Sequence, residues 1–350
     1  MAVTSATAVA ARRMPIEVVS TENMPEKEWL EWRRKGIGGS EVATIMGQSP
    51  FMTAKDLYRD KIGELPAVEV EDNWVAKEVG HRLESLVAEI FERKTGLRVY
   101  QIKKMFAHPD YPFMQANTDY LVETLDGQTG ILEIKTSNLH AKEKWENDTI
   151  PFNYEMQGRH YMAVMDLNFC WFACLFSNNE NDFVMRLLER DLDIEADMIA
   201  EEEDFWENHV LPHIEPAYTE SSDLVLESIR RHYGPAVKGL PVVTLPASFK
   251  AALEEITELR KKKRDLDHQS SELDEQIKTL YGPIVDKMGT HIEAVCIDGG
   301  NKYGVSYKPR YRTGVSADSL KKLQAMNRPV YDEYVTTTES RVFAVKKESA

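Results

Sequence analysis

The sequence has little cysteine and no long apolar run. Three cysteines in 350 residues cannot form a dense disulfide framework, so a reducing compartment, the cytoplasm, is expected. Two of them, Cys170 and Cys174, lie in the apolar stretch FCWFACLF, where we expect buried side chains on one strand face rather than metal ligands. No apolar run reaches the roughly 18 residues of a membrane span, and we therefore expect no membrane association.

Signals of two other protein classes are also missing. The start, MAVTSATAVAARRMP, places its basic residues after the apolar stretch, which is the wrong order for a secretory signal. We interpret residues 1–25 as a disordered tail instead. The glycines at 36–39 are not part of a P-loop pattern, which argues against nucleotide hydrolysis.

The net charge of −15 would repel a polyanion if it were spread evenly, but most of it lies in one segment. Residues 180–227 contain 16 acidic side chains and two arginines, a net charge of −14, whereas residues 228–350 carry a net charge of +5. Binding to nucleic acid depends on local basic surface. The composition therefore leaves a DNA substrate open.

Periodicity and composition divide the chain after the tail into three parts. Residues 26–210 alternate between helical and strand-like patterns, which predicts an α/β (α+β) domain. Residues 211–245 are proline-rich and are interpreted as a linker. Residues 246–350 are predicted to form a C-terminal extension, in which a coiled-coil-like helix over about 247–281 precedes a small β-rich unit. The main elements predicted in the first domain are helices over about 77–94, 151–165 and 193–210 and strands over about 113–123, 129–137, 168–177 and 183–190.

The stretch that indicates chemistry is Asp119 followed by Glu133-Ile134-Lys135. In a strand, Glu133 and Lys135 point to the same face, and a hairpin turn at 126–127 would bring Asp119 alongside them. Carboxylate oxygens are hard ligands suited to Mg²⁺, which activates water and neutralises charge on a phosphodiester. A nearby lysine can act on the attacking water or on the transition state. The alternative is an ordinary surface strand with a Glu–Lys pair.

Two predicted helices can contribute to such a site. Glu84 lies at the edge of the apolar stripe of the 77–94 helix, where a carboxylate is costly unless it is paired or bound to metal. On the 151–165 helix, Gln157 and Tyr161 share one face, and the amide can hydrogen-bond a metal-bound water or a phosphate. The alternatives are an ordinary flanking glutamate and an ordinary amphipathic boundary.

Basic residues, glycines and a serine come together upstream. Arg33 precedes the run GIGGS, which ends at Ser40, and a short helical pattern follows. Glycines before a helix start, with a serine cap and nearby basic residues, can form a phosphate cradle. The alternative is a simple capped helix start.

Taken together, these motifs resemble the YqaJ-type viral recombinase family, which is related to lambda exonuclease within the PD-(D/E)XK nuclease superfamily. They span about residues 32–177, about two fifths of the chain. Thr118 stands where the superfamily pattern has proline. The matching stretches are WRRKGIGGSEVATIMG at 32–47, GHRLESLVAEIFERKTG at 80–96, QANTDYLV at 115–122, GILEIKTS at 130–137 and YEMQGRHYMAV at 154–164.

The resemblance implies a restriction-endonuclease-like fold, in which a central mixed β-sheet is flanked by helices. It also implies a nuclease domain over residues 26–210. The site residues that it implies are Asp119, Glu133, the backbone carbonyl of Ile134 and Glu84 for metal, Lys135 for catalysis with Gln157 and Tyr161 in support, and Arg33 and Ser40 for the phosphate of a DNA end.

The function implied by the resemblance is that of a metal-dependent deoxyribonuclease. We expect a Mg²⁺-dependent 5′→3′ exonuclease that acts on linear double-stranded DNA in phage-type recombination, with Mn²⁺ able to substitute. We also expect a homo-oligomer, which in the lambda-type enzyme is a ring-shaped trimer, a single-strand annealing protein as partner, and the cytoplasm of a bacterial host. Two alternatives stay open: an endonuclease of the same fold, and a DNA-binding or assembly module without catalysis.

Overall fold

The structure, a computed structural model, describes residues 14–64, 74–298, 301–311 and 314–336. It divides into two compact units, an N-terminal unit (Met1–Pro235) and a C-terminal unit (Ala236–Ala350). Within the described ranges, no helix is long and apolar enough to cross a membrane.

The helices and strands of the N-terminal unit agree with most of the predicted ones. The helix predicted over 77–94, for example, runs from Trp74 to Thr95. In chain order the elements are β1 Ile16–Ser20, α1 Glu26–Arg33, β2 Ile37–Gly38, α2 Val42–Ile45, α3 Ala54–Lys61, α4 Trp74–Thr95, β3 Arg98–Tyr100, β4 Lys104–Ala107, β5 Met114–Ala116, β6 Tyr120–Glu123, β7 Thr129–Thr136, α5 Phe152–Met165, β8 Phe169–Leu175, β9 Phe183–Glu189, α6 Leu192–Phe205 and α7 Ser222–Tyr233.

A mixed five-stranded sheet forms the centre of the N-terminal unit. Its strand order is β3-β6-β7-β8-β9, with β7 and β8 parallel and the other neighbours antiparallel. Helix α4 packs Val87 and Phe91 on one face of the sheet, and α5 packs Met162 on the other. Strand β7 consequently contributes apolar side chains to both layers, Ile131 toward α5 and Leu132 with Ile134 toward α4, as expected for a strand between two helical layers. The predicted mixed sheet flanked by helices is confirmed.

A second sheet contains β1, β4, β5 and β2 in that order, and its first strand lies in the predicted tail. Ile16 pairs with Ala107 and Ser20 with Lys104, so β1 is an antiparallel neighbour of β4. The prediction of disorder is therefore wrong for residues 16–20, because a five-residue edge strand depends on a distant partner that local composition does not reveal. Residues 1–13 lie outside the described ranges.

The structure also differs from the predicted linker. Helix α7 lies within residues 211–245, and its Ser228 hydroxyl donates a 2.8 Å hydrogen bond to Asp56 of α3. Arg231 forms an ion pair with the same aspartate, and Glu215 forms one with Arg59. Residues up to 235 thus belong to the N-terminal unit, held by polar contacts that the prolines in this stretch do not indicate.

The C-terminal unit begins with a long helix, as predicted, but continues differently. Helix α8 covers Lys250–Met288 and is followed by the hairpin β10 Glu293–Asp298 and β11 Asn301–Ser306. Two helices then follow, α9 Ala317–Met326 and α10 Arg328–Tyr334. The predicted β-rich unit is therefore wrong over 317–334. The serine and asparagine that cap these two helices were the overlooked signals, and residues 337–350 lie outside the described ranges.

Candidate active site

The hairpin of β6 and β7 brings the predicted carboxylates together. Its turn contains Gly127 in the left-handed region, at a φ of 81°, where glycine is the favoured residue. Asp119 immediately precedes β6, and its Oδ2 accepts a 2.9 Å hydrogen bond from the backbone N–H of Ile134. The aspartate therefore lies next to the β7 segment that carries Glu133 and Lys135.

Lys135 and Gln157 enclose the Glu133 carboxylate. The Lys135 ammonium donates to Glu133 Oε1 at 2.8 Å and to Gln157 Oε1 at 3.0 Å. The Gln157 amide nitrogen donates to the same Glu133 oxygen at 2.6 Å and to the Tyr161 hydroxyl at 3.3 Å. Glu133 is 2% exposed, and its second oxygen, Oε2, is buried without a hydrogen-bond partner among the described residues.

Helix α5 reaches this cluster because it approaches the sheet closely. A Cβ added at Gly158 would lie 2.8 Å from the Phe172 ring of β8, so only glycine permits this spacing. Gln157 and Tyr161, one turn apart on α5, then face Glu133. The shared face predicted for these two side chains is confirmed.

The electrostatics of the cluster are those of buried negative charge. Burial and then the Asp119 charge raise the pKa of Glu133 to about 8, and burial raises the pKa of Asp119. Burial lowers the pKa of Lys135, but the two carboxylates outweigh this effect and the net pKa is raised. One lysine therefore faces more carboxylates than it can neutralise, and a cation would relieve the excess.

Glu84 on α4 is coupled to the same cluster by charge. Burial and the Asp119 carboxylate raise its pKa to about 7, and the Gln101 amide donates a 3.3 Å hydrogen bond to it. His81, one turn earlier on α4, offsets a small part of the rise that burial causes in the pKa of Asp119. Sequence analysis missed both neighbours of the cluster; helical spacing could have indicated His81, whereas nothing in the sequence indicates Gln101.

The predicted phosphate cradle is held by an internal ion-pair network. The Arg33 guanidinium donates to Ser40 Oγ at 2.6 Å through Nη2 and to Glu41 Oε1 at 3.0 Å through Nε. The other Glu41 oxygen accepts from the buried Lys61 ammonium at 2.7 Å and from the Gly38 N–H at 2.9 Å. Glu41 and Lys61, which sequence analysis missed, thus fix Arg33 in place.

The cradle adjoins the carboxylate cluster, which consists of Asp119, Glu133, Lys135 and Gln157, at helix α5. A Cβ added at Gly39 would lie 2.8 Å from Cε1 of Tyr161 and 3.0 Å from the carbonyl oxygen of Gln157. Arg33 is close enough to lower the pKa of Tyr161, although burial and the carboxylates raise it overall. The structure therefore brings all the predicted site residues into one region of the N-terminal unit.

The donor set fits a hard divalent cation only with help from other oxygen atoms. Among the residues that the structure describes, no group of three or more His, Cys, Asp and Glu side chains could hold a metal ion. Asp119 and Glu133 nevertheless offer two neighbouring carboxylates, one with an unpaired buried oxygen. Backbone carbonyls and waters commonly complete the shell of Mg²⁺, so the residues present are compatible with such a site.

A mixed sheet flanked by helices, with Glu133 and Lys135 on β7 and Asp119 beside them, is the fold that the sequence motifs implied. The chain belongs to the YqaJ-like viral recombinase family. The family model of the YqaJ-like viral recombinase domain matches residues 28–168. The uncharacterized protein YqaJ of Bacillus subtilis (strain 168) is 30% identical over 340 residues, which cover 95% of this chain and 98% of that protein.

Solved structures show more distant similarity. An alkaline exonuclease from Laribacter hongkongensis is 22% identical, with a TM-score of 0.45 over 54% of this chain and 94% of that one. The same enzyme has been solved in complex with dAMP. A phage-related exonuclease from Haemophilus somnus is 12% identical, with a TM-score of 0.37 over 51% of this chain and 97% of that one.

Proposed function

We propose that the protein is a metal-dependent deoxyribonuclease that digests linear double-stranded DNA in the 5′→3′ direction during phage-type recombination. The observation that carries this proposal is the buried cluster of Asp119, Glu133, Lys135 and Gln157. Membership of the chain in the YqaJ-like viral recombinase family supports the proposal. A homo-oligomer, an annealing partner and the cytoplasm of a bacterial host belong to the same proposal.

Asp119, Glu133 and the carbonyl of Ile134, with Glu84 beside them, would hold Mg²⁺ or Mn²⁺. When bound, such a cation supplies an activated water and neutralises negative charge on the phosphodiester. The unpaired Oε2 of Glu133 and the raised pKa values of Glu84 and Glu133 support this assignment. Ionisation of a buried carboxylate is costly when the group is alone, but it becomes favourable beside a divalent cation.

Lys135 would act as a positioned positive charge. Its raised pKa keeps the ammonium protonated at neutral pH, which favours stabilisation of charge on the phosphate over removal of a proton. Gln157 holds the ammonium from one side and Glu133 from the other. The nitrogen is therefore fixed before the substrate arrives, and little reorganisation accompanies the reaction.

Arg33 and Ser40 would bind the phosphate at a 5′ end. A guanidinium matches the geometry of a phosphate, and Glu41 with Lys61 already fixes its orientation. The cradle adjoins the cluster through Gly39 and α5. Capture of an end beside the site of cleavage favours an exonuclease over an endonuclease of the same fold.

The decisive experiment compares linear with covalently closed circular duplex DNA in the presence of Mg²⁺. We expect degradation of the linear DNA, none of the circle, and none of either with EDTA. Lys135→Ala should remove cleavage while it leaves DNA binding largely intact, because the lysine acts in turnover. Cleavage of the circle would instead indicate an endonuclease, and DNA binding without any cleavage would indicate a non-catalytic module.

The end-binding role is tested with 5′-phosphorylated and 5′-hydroxyl duplexes. Arg33→Ala should slow digestion of phosphorylated ends more than of hydroxyl ends, since the guanidinium contributes only where the phosphate exists. Arg34→Ala is a matched control, because its partner is Asp60 rather than the cradle. An equal loss on both substrates would mean that Arg33 is structural or a general backbone contact.

A further inference from the structure

Helix α8 presents an apolar stripe that the other described elements of the C-terminal unit do not cover. Leu259, Leu266, Leu273 and Leu280 are spaced by seven residues, and each is more than half exposed, from 55% to 75%. Helices of this kind owe most of their stability to packing of the apolar face. A 39-residue helix with this stripe in water therefore calls for a partner helix.

The four leucines form one row of the α8 seam, the face on which a partner helix would pack. A second row of residues in the same seam determines which partner fits. It contains Ile256, Lys263, Ser270, Ile277 and Ile284, again seven residues apart, so two of its five positions are polar. In a parallel pair of identical helices, each seam residue meets its own copy. Lys263 would then face Lys263 inside the seam, and Ser270 would face Ser270.

An antiparallel pair with its two-fold axis beside His268 avoids both juxtapositions. In this register every polar seam residue lies opposite a leucine, and the flexible stem of lysine can cover that leucine while the ammonium reaches solvent. The layers formed across the axis are Ile256 with Leu280, Leu259 with Ile277, Lys263 with Leu273, and Leu266 with Ser270.

The charges of α8 agree with the antiparallel register. Residues 260–264 are all basic (RKKKR), whereas residues 272–275 (ELDE) contain three acidic side chains. Rotation about the axis beside His268 places these two blocks against each other, with Arg260 flanking the seam opposite Asp274. The helix is thus complementary to itself in reverse, both in its apolar layers and in its charge.

We propose that α8 pairs antiparallel with α8 of a second copy of this chain. The pairing uses the seam defined above, whose residues all belong to the C-terminal unit. It therefore provides a means of self-association that uses none of the residues assigned to the proposed nuclease site.

Disulfide trapping on the full-length protein tests this pairing. In a Cys296→Ser background, which removes the exposed native thiol, the double variant Lys263→Cys/Leu273→Cys should form a covalent dimer on mild oxidation. Each single variant should not, because neither position meets its own copy. Covalent dimers from the single variants would show a parallel pair, and none from any variant would show that α8 does not self-pair; either result overturns the proposal.

A charge exchange tests the register independently. Arg260→Glu should raise the dimer dissociation constant about fivefold, since exposed ion pairs are individually weak but occur twice in the dimer. Adding Asp274→Arg in the same chain should restore it. Adding Glu255→Arg is the matched control, because Glu255 would face Arg260 only in a parallel pair. Rescue by the control instead of by Asp274→Arg contradicts the antiparallel register, and circular dichroism checks that α8 stays helical.

Discussion

Replacing Glu84 by glutamine should make the metal-free protein more stable at alkaline pH. Glu84 is half-buried beside Asp119, and its pKa rises from the ordinary 4.5 to about 7. A group whose pKa is raised by folding contributes stability below its unfolded value, and that contribution is lost as the pH rises through the folded value. Above pH 7 the folded protein therefore carries a charge that the unfolded chain accommodates more easily, and glutamine removes it.

The size of the effect follows from the pKa. A change from 4.5 to about 7 corresponds to about 3.4 kcal/mol at 1.36 kcal/mol per pH unit. Because Glu84 is partly accessible, solvent screening reduces this value, and we expect about 1–2 kcal/mol. At pH 5 the difference from the wild type should be small, since most of the penalty has not yet developed.

Urea unfolding in EDTA at pH 5 and pH 8.5 measures this difference. Glu89→Gln on the exposed face of the same helix is the matched control, and it should not stabilise the protein at either pH. Added Mg²⁺ should stabilise the wild type more than Glu84→Gln at pH 8.5, because a ligand that binds only the native state adds to its stability. Equal stability of Glu84→Gln and the wild type at pH 8.5, or a loss there, would refute the electrostatic reasoning.

Three further predictions address the site and the domain division. Gly39→Ala should reduce the cleavage rate at least tenfold at unchanged fold, because the added Cβ would lie 2.8 Å from the Tyr161 ring. Gly38→Ala should reduce the rate only slightly, because the nearest atom to its Cβ is 3.6 Å away. Equal rates for the two variants would refute this prediction. Asp119→Ala should weaken Mn²⁺ binding in calorimetry while Asp126→Ala, on the hairpin turn, should not; unchanged affinity in Asp119→Ala would count against a ligand role. A shortened protein ending at residue 235 should still cleave short duplexes, and a folded but inactive product would place the C-terminal unit in the site.

The central part of the site was predictable because it depends on local rules. Alternation along a strand places Glu133 and Lys135 on one face, and helical spacing places Gln157 near Tyr161. A turn sequence between two apolar runs then predicts the hairpin that brings in Asp119. Each of these inferences uses residues that are close in the sequence, so a single sequence is enough to make them.

The supporting contacts were not predictable because their partners are distant or ambiguous in sequence. Glu41 reads as an ordinary first-turn acid, and only the fold shows that it joins Arg33 to the buried Lys61. The same holds for Ser228, which donates a hydrogen bond to Asp56, 172 residues earlier in the sequence. Buried polar groups must be paired, but the sequence does not indicate which partner is available.

Helix α5 lies between the carboxylate cluster and the phosphate cradle, and a buried histidine holds it in place. His160, fully buried, approaches Glu202 through Nδ1 and the carbonyl of Gln115 through Nε2, both at 2.9 Å. A carbonyl oxygen only accepts, so Nε2 carries a proton and the ring ties α5 to β5 and α6 together. Gln157, one turn before His160 on the same helix, donates to Glu133, and Tyr161, the next residue after His160, lies against the cradle at Gly39. The proposed exonuclease would need a constant distance between the group that holds the DNA end and the group that cleaves, and a helix that is buried from Met156 to Met165 would supply it.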